Sequence, residues 1–429
     1  MSLEDLKKIA CEAIDKAAKE LNTLSQEIWK NPELNFEEHH AHKVLTEYLT
    51  KTGFNVEPKY KLDTAFRAIH GSDGEGPHVA VLCEYDALPE IGHACGHNLL
   101  AIHGSDGEGP HVAVLCEYDA LPVIGHACGH NLIAEVGIAA GIGIKAAMEA
   151  SGKNIGKLTV LGTPAEEGGG GKVDLIKAEV FKDFDIAMMC HPCPFTYKTL
   201  PGLLAVTFIQ ANFHGKASHA AGFPWEGKNA LDAAVMAYQS ISCMRQQFKP
   251  SWRVHGIITK GGVKPNIIPD ETELLYYLRA PTDKEVAEIK AKTIDIFESA
   301  AKMTGCTVDI TYPGKPYSNL ITNDTLATTF EENAKSIGVE FEADAEKATA
   351  GGSTDMGNVS YVVPSIHPVF YIGTDAPNHS IGFTAAAGDA KAQPYTLDQG
   401  KALAMTALDV FLTPGVLEQA RKDFQKDTA

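Results

Sequence analysis

The hexapeptide His-Ala-Cys-Gly-His-Asn stands at 93–98 and again at 126–131, setting one thiol and two imidazoles within five residues. Thiolate and neutral imidazole are preferred donors for Zn²⁺, and the Ala and Gly between them leave room for both to reach one ion. Taken alone, the motif equally allows a buried thiol beside hydrogen-bonded histidines. Thr163-Pro164-Ala165-Glu166-Glu167-Gly168 places two adjacent carboxylates ahead of Gly169, Gly170 and Gly171. Adjacent side chains on extended or turning backbone point apart, so one carboxylate can bind metal while the other faces a substrate. A solvated acidic turn before a helix N-terminus is the plainer alternative. His191, followed by Pro192, and His379, between Asn378 and Ser380, complete the donor candidates, and neither is specific singly.

The hexapeptide recurs because residues 68–100 return at 101–133, with only Glu90/Val123 and Leu100/Ile133 differing. Solenoids need about three or more stacked, diverged units, so two near-identical copies read as a recent duplication or an error in assembling the sequence. A single site can use either Cys95 and His97 or Cys128 and His130. The second copy runs directly into AEVGIAAGIGIKAAMEA, an apolar helix pattern, and its preceding Leu99-Leu100-Ala101-Ile102-His103-Gly104 can replace Phe66-Arg67-Ala68-Ile69-His70-Gly71 as a hairpin strand. This continuity places Cys128 and His130 in the site and makes about 33 residues around 68–100 an extruded or misplaced insertion.

The elements that must position these residues alternate between strand and helix. Helical patterning at 3–30 and 36–53 precedes strands at 64–70 and 111–116, the helix after 131, and strands at 157–163 and 186–190. The donors follow strand C-termini, where open α/β sheets place their sites. From about 203 the order becomes strand, helix, two strands, helix, strand, a ferredoxin-like βαββαβ insertion ending near 314. A helix near 324–337, a strand Val369 to Ile372 and a helical region from Leu397 to about Lys426 resume the α/β pattern. The fold class is therefore α/β, with residues 1–202 and 315–429 forming one domain around an inserted 203–314.

With 429 residues, 44% hydrophobic and 21% charged, the chain is long enough for two or more substantial cores. No run of 18 apolar residues is free of charge, and the N-terminus reads as a charged amphipathic helix. These features argue against a membrane partner and for the cytoplasm, with the nucleus as an alternative. Nine cysteines at irregular spacing fit reduced thiols better than a disulfide framework. A net charge of −18 argues against nucleic acid and leaves room for cationic small molecules.

The ordered set Asp119-Ala120-Leu121-Pro122, His126-Ala127-Cys128-Gly129-His130, Glu166-Glu167-Gly168, His191-Pro192 and Asn378-His379-Ser380 resembles the aminoacylase and carboxypeptidase-G metallopeptidase family. The likeness is to its amidohydrolase branch, where Cys-Gly-His replaces an aspartate ligand. It extends over nearly the whole chain through Asn31-Pro32-Glu33-Leu34, Gly215-Lys216-Ala217-Ser218-His219-Ala220-Ala221, Pro265-Asn266-Ile267-Ile268-Pro269-Asp270 and Gly352-Ser353-Thr354-Asp355. The resemblance implies an α/β/α catalytic domain with a zinc-peptidase-type mixed sheet, and makes the insertion a dimerisation domain. It implies two divalent ions, Zn²⁺ first and Mn²⁺ or Co²⁺ as alternatives, held by Cys128, His130, Glu167, His191 and His379, with Cys128 bridging.

Asp119 would hydrogen-bond a ligand imidazole, and Glu166 would act as general base toward a water activated by the metals. His219 would reach the second subunit's site of a homodimer to stabilise an oxyanion, while Asn266 and Arg279 would grip a substrate carboxylate. A surface ion pair for Arg279 and a turn role for Asn266 remain the alternatives. Asn131 departs from the branch, which usually carries Asp there, and so removes a negative group expected beside the metals. The implied reaction is hydrolysis of small dipeptides with a basic C-terminal residue (Lys, Orn or Arg). An N-acyl-amino-acid amidohydrolase and a non-catalytic homologue disabled by the duplication are the alternatives.

Overall fold

A computed structural model describes residues 1–70, 79–83, 111–116, 120–121, 124–195, 202–341 and 351–428. It divides into two compact units, the first made of Met1–Pro201, Leu320–Ala350 and Asp355–Ala429, the second of Gly202–Asn319 with Gly351–Thr354.

The first unit opens with α1 (Leu3–Lys30), whose Ser2 and Asp5 satisfy each other's backbone N–H in a capping box. Glu33 of the Asn31-Pro32-Glu33-Leu34 motif accepts from the N–H groups of His40 and Ala41 at 2.8–2.9 Å, satisfying the first turn of α2 (His39–Lys51). Strands β1 (Asn55–Pro58), β2 (Phe66–His70), β3 (Val79–Cys83) and β4 (His111–Cys116) follow. Next come α3 (His130–Ser151), β5 (Lys157–Gly162), α4 (Gly171–Lys177), β6 (Ile186–Met189) and the short β7 (His191–Cys193).

The second unit supplies β8 (Ala205–His214), α5 (Ala230–Met244), β9 (Arg253–Lys260), β10 (Glu271–Ala280), α6 (Asp283–Thr304) and β11 (Thr307–Thr311). The chain then returns with α7 (Asp324–Ser336), α8 (Met356–Ser360), β12 (Ser365–Ile366), β13 (Val369–Tyr371), α9 (Ile381–Ala387), α10 (Gln393–Leu412) and α11 (Val416–Asp427). The single helical region expected after Leu397 is broken at Thr413-Pro414-Gly415, where Gly415 turns left-handed at φ 88°.

The first unit's sheet has the order β1-β2-β5-β3-β4-β6-β12, antiparallel at β1–β2 and β2–β5 and parallel from β5 onward. Parallel pairing sends β4, β5 and β6 out at one edge of the sheet. Helix α3 is apolar around almost its whole circumference because it packs against α1, α10 and strands β3, β4 and β5. The second unit's sheet, β11-β8-β10-β9, is antiparallel throughout. Its period-two burial puts Ile209, Ala211, Phe213, Leu274, Tyr276 and Leu278 beneath α5 and α6. The expected βαββαβ order is the observed one.

Two expectations need correction. The strand of the first repeat copy is not extruded: Val79–Cys83 lies in the sheet, and Phe66–His70 itself pairs with β5. The cause is sequence identity. Cys83 and Cys116 both take Gly162 as their partner on β5, so two copies of one strand address the same register. The 99–104 segment expected to replace β2 lies outside the described residues. The second unit also extends beyond 314. Val206 and Tyr317 exchange both backbone hydrogen bonds at 2.8 and 3.0 Å, and Leu204 N–H donates to Gly352 O at 2.8 Å.

Deleting residues 68–100 joins Phe66-Arg67 to Ala101-Ile102-His103, the same five residue types as β2. The shortened protein is expected to keep a cooperative thermal transition at or above the full-length midpoint, and a non-cooperative melt would show that the first copy is integral.

A second prediction rests on Glu135 in α3, whose carboxylate accepts from Gln393 Nε2 at 2.8 Å. Burial pushes its pKa up to about 7, and hydrogen bonds from Gln393 and Ser25 only partly oppose this. The folded state therefore keeps a proton that the unfolded chain releases above the ordinary carboxyl value of 4.5. The resulting stabilisation is complete below that value and is lost as pH rises to about 7. Relative to wild type, Glu135→Gln should gain about 3 kcal/mol between pH 4.5 and 8, read from urea unfolding at both values. A variant that tracks wild type at both pH values would overturn this account.

Candidate metal centre and active site

Four segments meet beyond the edge where β4, β5 and β6 end. Gly129 separates Cys128 from His130 and adopts φ 81° as the cap of α3. A Cβ there would also lie 2.7 Å from Pro192 Cγ, so both conformation and space demand glycine. The segment after β5 turns at Ala165, φ 67°, and releases Glu166 and Glu167 into a tight loop. Gly170 N–H donates to Ala165 O at 2.5 Å, and a Cβ on Gly171 would fall 1.7 Å from Pro164 O. His191 begins β7 immediately after β6, its N–H bonded to Pro368 O at 2.9 Å. His379 arrives on a separate stretch, held at φ 64° with its N–H on Ala127 O at 2.8 Å. A left-handed conformation is uncommon for Ala and His, and both instances border donor side chains.

Donor atoms of Cys128, His130 and His191 lie within 4.8 Å of one another, as do those of Cys128, Glu167 and His379, and those of His130, Glu166 and Glu167. The triplets share Cys128, His130 and Glu167, so they form one continuous cluster. Cys128 Sγ is 3.4 Å from His191 Nε2, and His379 Nε2 is 3.2 Å from Glu167 Oε1. His191 Nδ1 donates to Pro192 O at 2.8 Å, which leaves the Nε2 lone pair facing Cys128. Burial holds His130 well below the ordinary imidazole range, with the neighbouring His191, His379 and His367 adding to the effect. Burial likewise lowers His191 to about 4, opposed by its bond to Pro192 O. Both rings are therefore neutral at physiological pH. Neutral imidazoles, a thiol and carboxylates in one cluster fit a divalent ion of the zinc type.

The structure brings together Cys128, His130, Glu166, Glu167, His191 and His379 from the sequence-derived set. Asp119 lies outside the described residues, as do Cys95 and His97. In the second unit, His219 and Asn266 are neighbours: Ala220 N–H donates to Asn266 O at 3.1 Å, and His219 bridges to Ile267. His219 Nδ1 accepts from the N–H groups of Ala221 and Gly222 at 3.2 and 3.0 Å. A neutral His219 ring therefore carries its proton on Nε2 as an exposed donor. Arg279 sits at the far end of the same sheet, beside Val206, with Nη1 on Ser353 Oγ at 2.7 Å.

Asn131 does not face the donor cluster. Its amide donates to Ser25 Oγ and Ala387 O, each at 3.0 Å, two bonds an ionised Asp could not make. The expected loss of a negative group beside the metal is thus replaced by a helix-packing role.

Sequence reasoning gave no role to four residues, His367, Asn378, Lys172 and Asp355, although Asn378 and Asp355 stand in its motifs. His367 stacks on His191 at 5.6 Å between ring centroids, and the parallel with His191-Pro192 in His367-Pro368 was the available signal. Asn378 donates to Pro192 O at 3.1 Å and approaches Cys128 Sγ at 3.9 Å. Lys172 and Asp355 form a fully buried ion pair at 2.6 Å, which burial and mutual attraction leave with a Lys172 pKa of about 8.

Comparison with known proteins follows the same division. Residues 200–304 match the peptidase dimerisation domain of the M20 family. The chain is 51% identical to Xaa-Arg dipeptidase of Mus musculus, over 99% of this chain and 93% of that protein. It is 48% identical to Xaa-Arg dipeptidase of Homo sapiens, with the same coverage of both. Among solved structures, a dinuclear metal-binding peptidase of the M20 family from Bacillus subtilis superposes with a TM-score of 0.63 at 18% identity, covering 92% of this chain and 99% of that one.

If the described cluster is the metal centre, Cys128→Ser should strongly reduce Co²⁺ uptake while Cys95→Ser leaves it unchanged. Elemental analysis after reconstitution decides this, and equal losses in both variants would show that the two copies contribute alike.

Proposed function

We propose, from the premise that the chain belongs to the M20 metallopeptidase family of the Xaa-Arg dipeptidases, that it cleaves dipeptides with a basic C-terminal residue at the cluster around Cys128. Metal-dependent dipeptide hydrolysis is the activity of this enzyme class. The observation that carries the reading is the convergence of one thiol, two neutral imidazoles, one buried and one half-buried, and two carboxylates, with His379 at its border.

Cys128, His130, Glu167, His191 and His379 would hold two divalent ions, with Zn²⁺ best suited to the thiolate and imidazole donors. When bound, such ions polarise an amide carbonyl and lower the pKa of water. Glu166, buried beside Glu167, accepts the proton from the attacking water and returns it to the leaving nitrogen. The Nε2–H of His219 is the donor for negative charge developing on the carbonyl oxygen. Arg279 takes the substrate's carboxylate, with Ser353 fixing the guanidinium.

The second unit supports a homodimer. Asn266 and His219 adjoin the Glu271 end of β10, while Arg279 is eight residues further along it, roughly 27 Å away at about 3.4 Å per residue. One chain cannot place both sets on one small dipeptide; a second copy can supply the missing set. Ile257 and Ile258 of the edge strand β9 are exposed, as an interface strand requires. A thiol that serves as a metal ligand must stay reduced, which fits the cytoplasm as the working compartment.

Reconstituted enzyme is expected to carry close to two ions per chain and to hydrolyse dipeptides ending in Lys, Orn or Arg. Glu166→Gln should retain metal and lose about 10²–10⁴-fold in kcat. His219→Ala should also lower turnover, but mixed dimers of the two variants should regain activity, since one of their two sites combines intact Glu166 with intact His219. Hybrid dimers without recovery would remove the cross-subunit role of His219. Cleavage of N-acyl amino acids in preference to dipeptides would replace the substrate assignment.

A further inference from the structure

The tetrapeptide Gly352–Asp355 touches two parts of the proposed machinery that are distant in sequence. Ser353, counted with the second unit, accepts from Arg279 Nη1 at 2.7 Å. Asp355, counted with the first unit, takes both groups of Lys172: Nζ at 2.6 Å on Oδ1 and the backbone N–H at 3.0 Å on Oδ2. Lys172 lies in the first turn of α4, directly after the loop that carries Glu166 and Glu167. That loop has little freedom of its own to absorb a shift, because Gly168 N–H closes on Glu166 O at 2.6 Å and Gly170 N–H on Ala165 O at 2.5 Å. Moving the anchor therefore moves the carboxylates. Lys172 and Asp355 are both fully buried, so neither exchanges its partner for water.

We propose that Gly352–Asp355 is a positioning strap, in which Asp355 fixes the Glu166–Glu167 loop through Lys172 and Ser353 orients Arg279 toward the substrate carboxylate. The inference rests on the proposed dipeptidase reading, and assigns the two residues separate kinetic signatures. Asp355 acts on groups that hold metal and move the proton, so its loss lowers kcat and metal affinity. Ser353 acts on a binding group, so its loss raises KM.

The test uses the full-length, metal-reconstituted protein and the wild-type rate on a Lys-terminated dipeptide as reference. Asp355→Asn should lower kcat by about 10–100-fold with KM within twofold, and should weaken Co²⁺ binding by a similar factor, read from d–d absorption. Ser353→Ala should raise KM about tenfold with kcat within twofold and Co²⁺ affinity unchanged. Breaking a buried pair also destabilises a fold, so Lys172→Met/Asp355→Leu separates the two effects by restoring an apolar fit. Recovery of the melting midpoint without recovery of kcat supports positioning. Recovery of both, or an Asp355→Asn enzyme with wild-type kcat per bound metal, overturns it, and so does a Ser353→Ala enzyme with wild-type KM. A wild-type protein that neither takes up metal nor cleaves dipeptides would instead remove the underlying reading.

Discussion

Everything in the first unit depends on keeping ionisable donors dry without letting them become charged. An isolated buried charge is costly, so imidazoles removed from water shed their protons and leave a lone pair for a cation. His130 and His191 are in this condition because α3 and β6, two of the most buried elements, deliver them directly to the sheet edge. The same desolvation acts on Glu135, one turn along α3, where it retains a proton instead. The helix is therefore apolar for two reasons: it fills the space between α1, α10 and the sheet, and its insulation sets the protonation of its first residue.

That insulation has a geometric counterpart in the backbone. Gly129 has no space for a side chain, and Ala165 and His379 occupy conformations that cost ordinary residues of the order of 1 kcal/mol or more. These positions border Cys128, Glu166 and Glu167, or carry a donor themselves. The surrounding bonds overdetermine each one, as the His379 N–H on Ala127 O does. The donor cluster is thus assembled by four segments that are short, turning and individually weak, held by the parallel strands of a mixed sheet that are none of these.

Much of this was legible in the sequence. Period-two burial in β8 and β10 and the capped helix α6 gave the inserted unit its order, and the donors were found as residue types placed after apolar strands. What escaped was pairing across long sequence distances. Asp355 meets Lys172 and Ser353 meets Arg279 through contacts that no local pattern encodes. The same holds for Tyr317 on Val206, which carried the second unit past its expected boundary. Asn131 was misread because a motif fixes residue identity but not direction: on α3 its side chain points to Ser25 and Ala387.

The repeat poses a different physical question, namely why a sheet tolerates a second copy of one of its strands. A parallel strand is specified by its pattern and by its neighbours, and two identical strands present β5 with the same pattern at the same register. Local pairing energy therefore does not distinguish them. The distinction lies downstream, since only the second copy continues into α3, and α3 fixes Cys128 and His130 against His191. A duplication upstream of the ligand turn thus perturbs the sheet, where identical strands are interchangeable, and spares the helix start, where they are not.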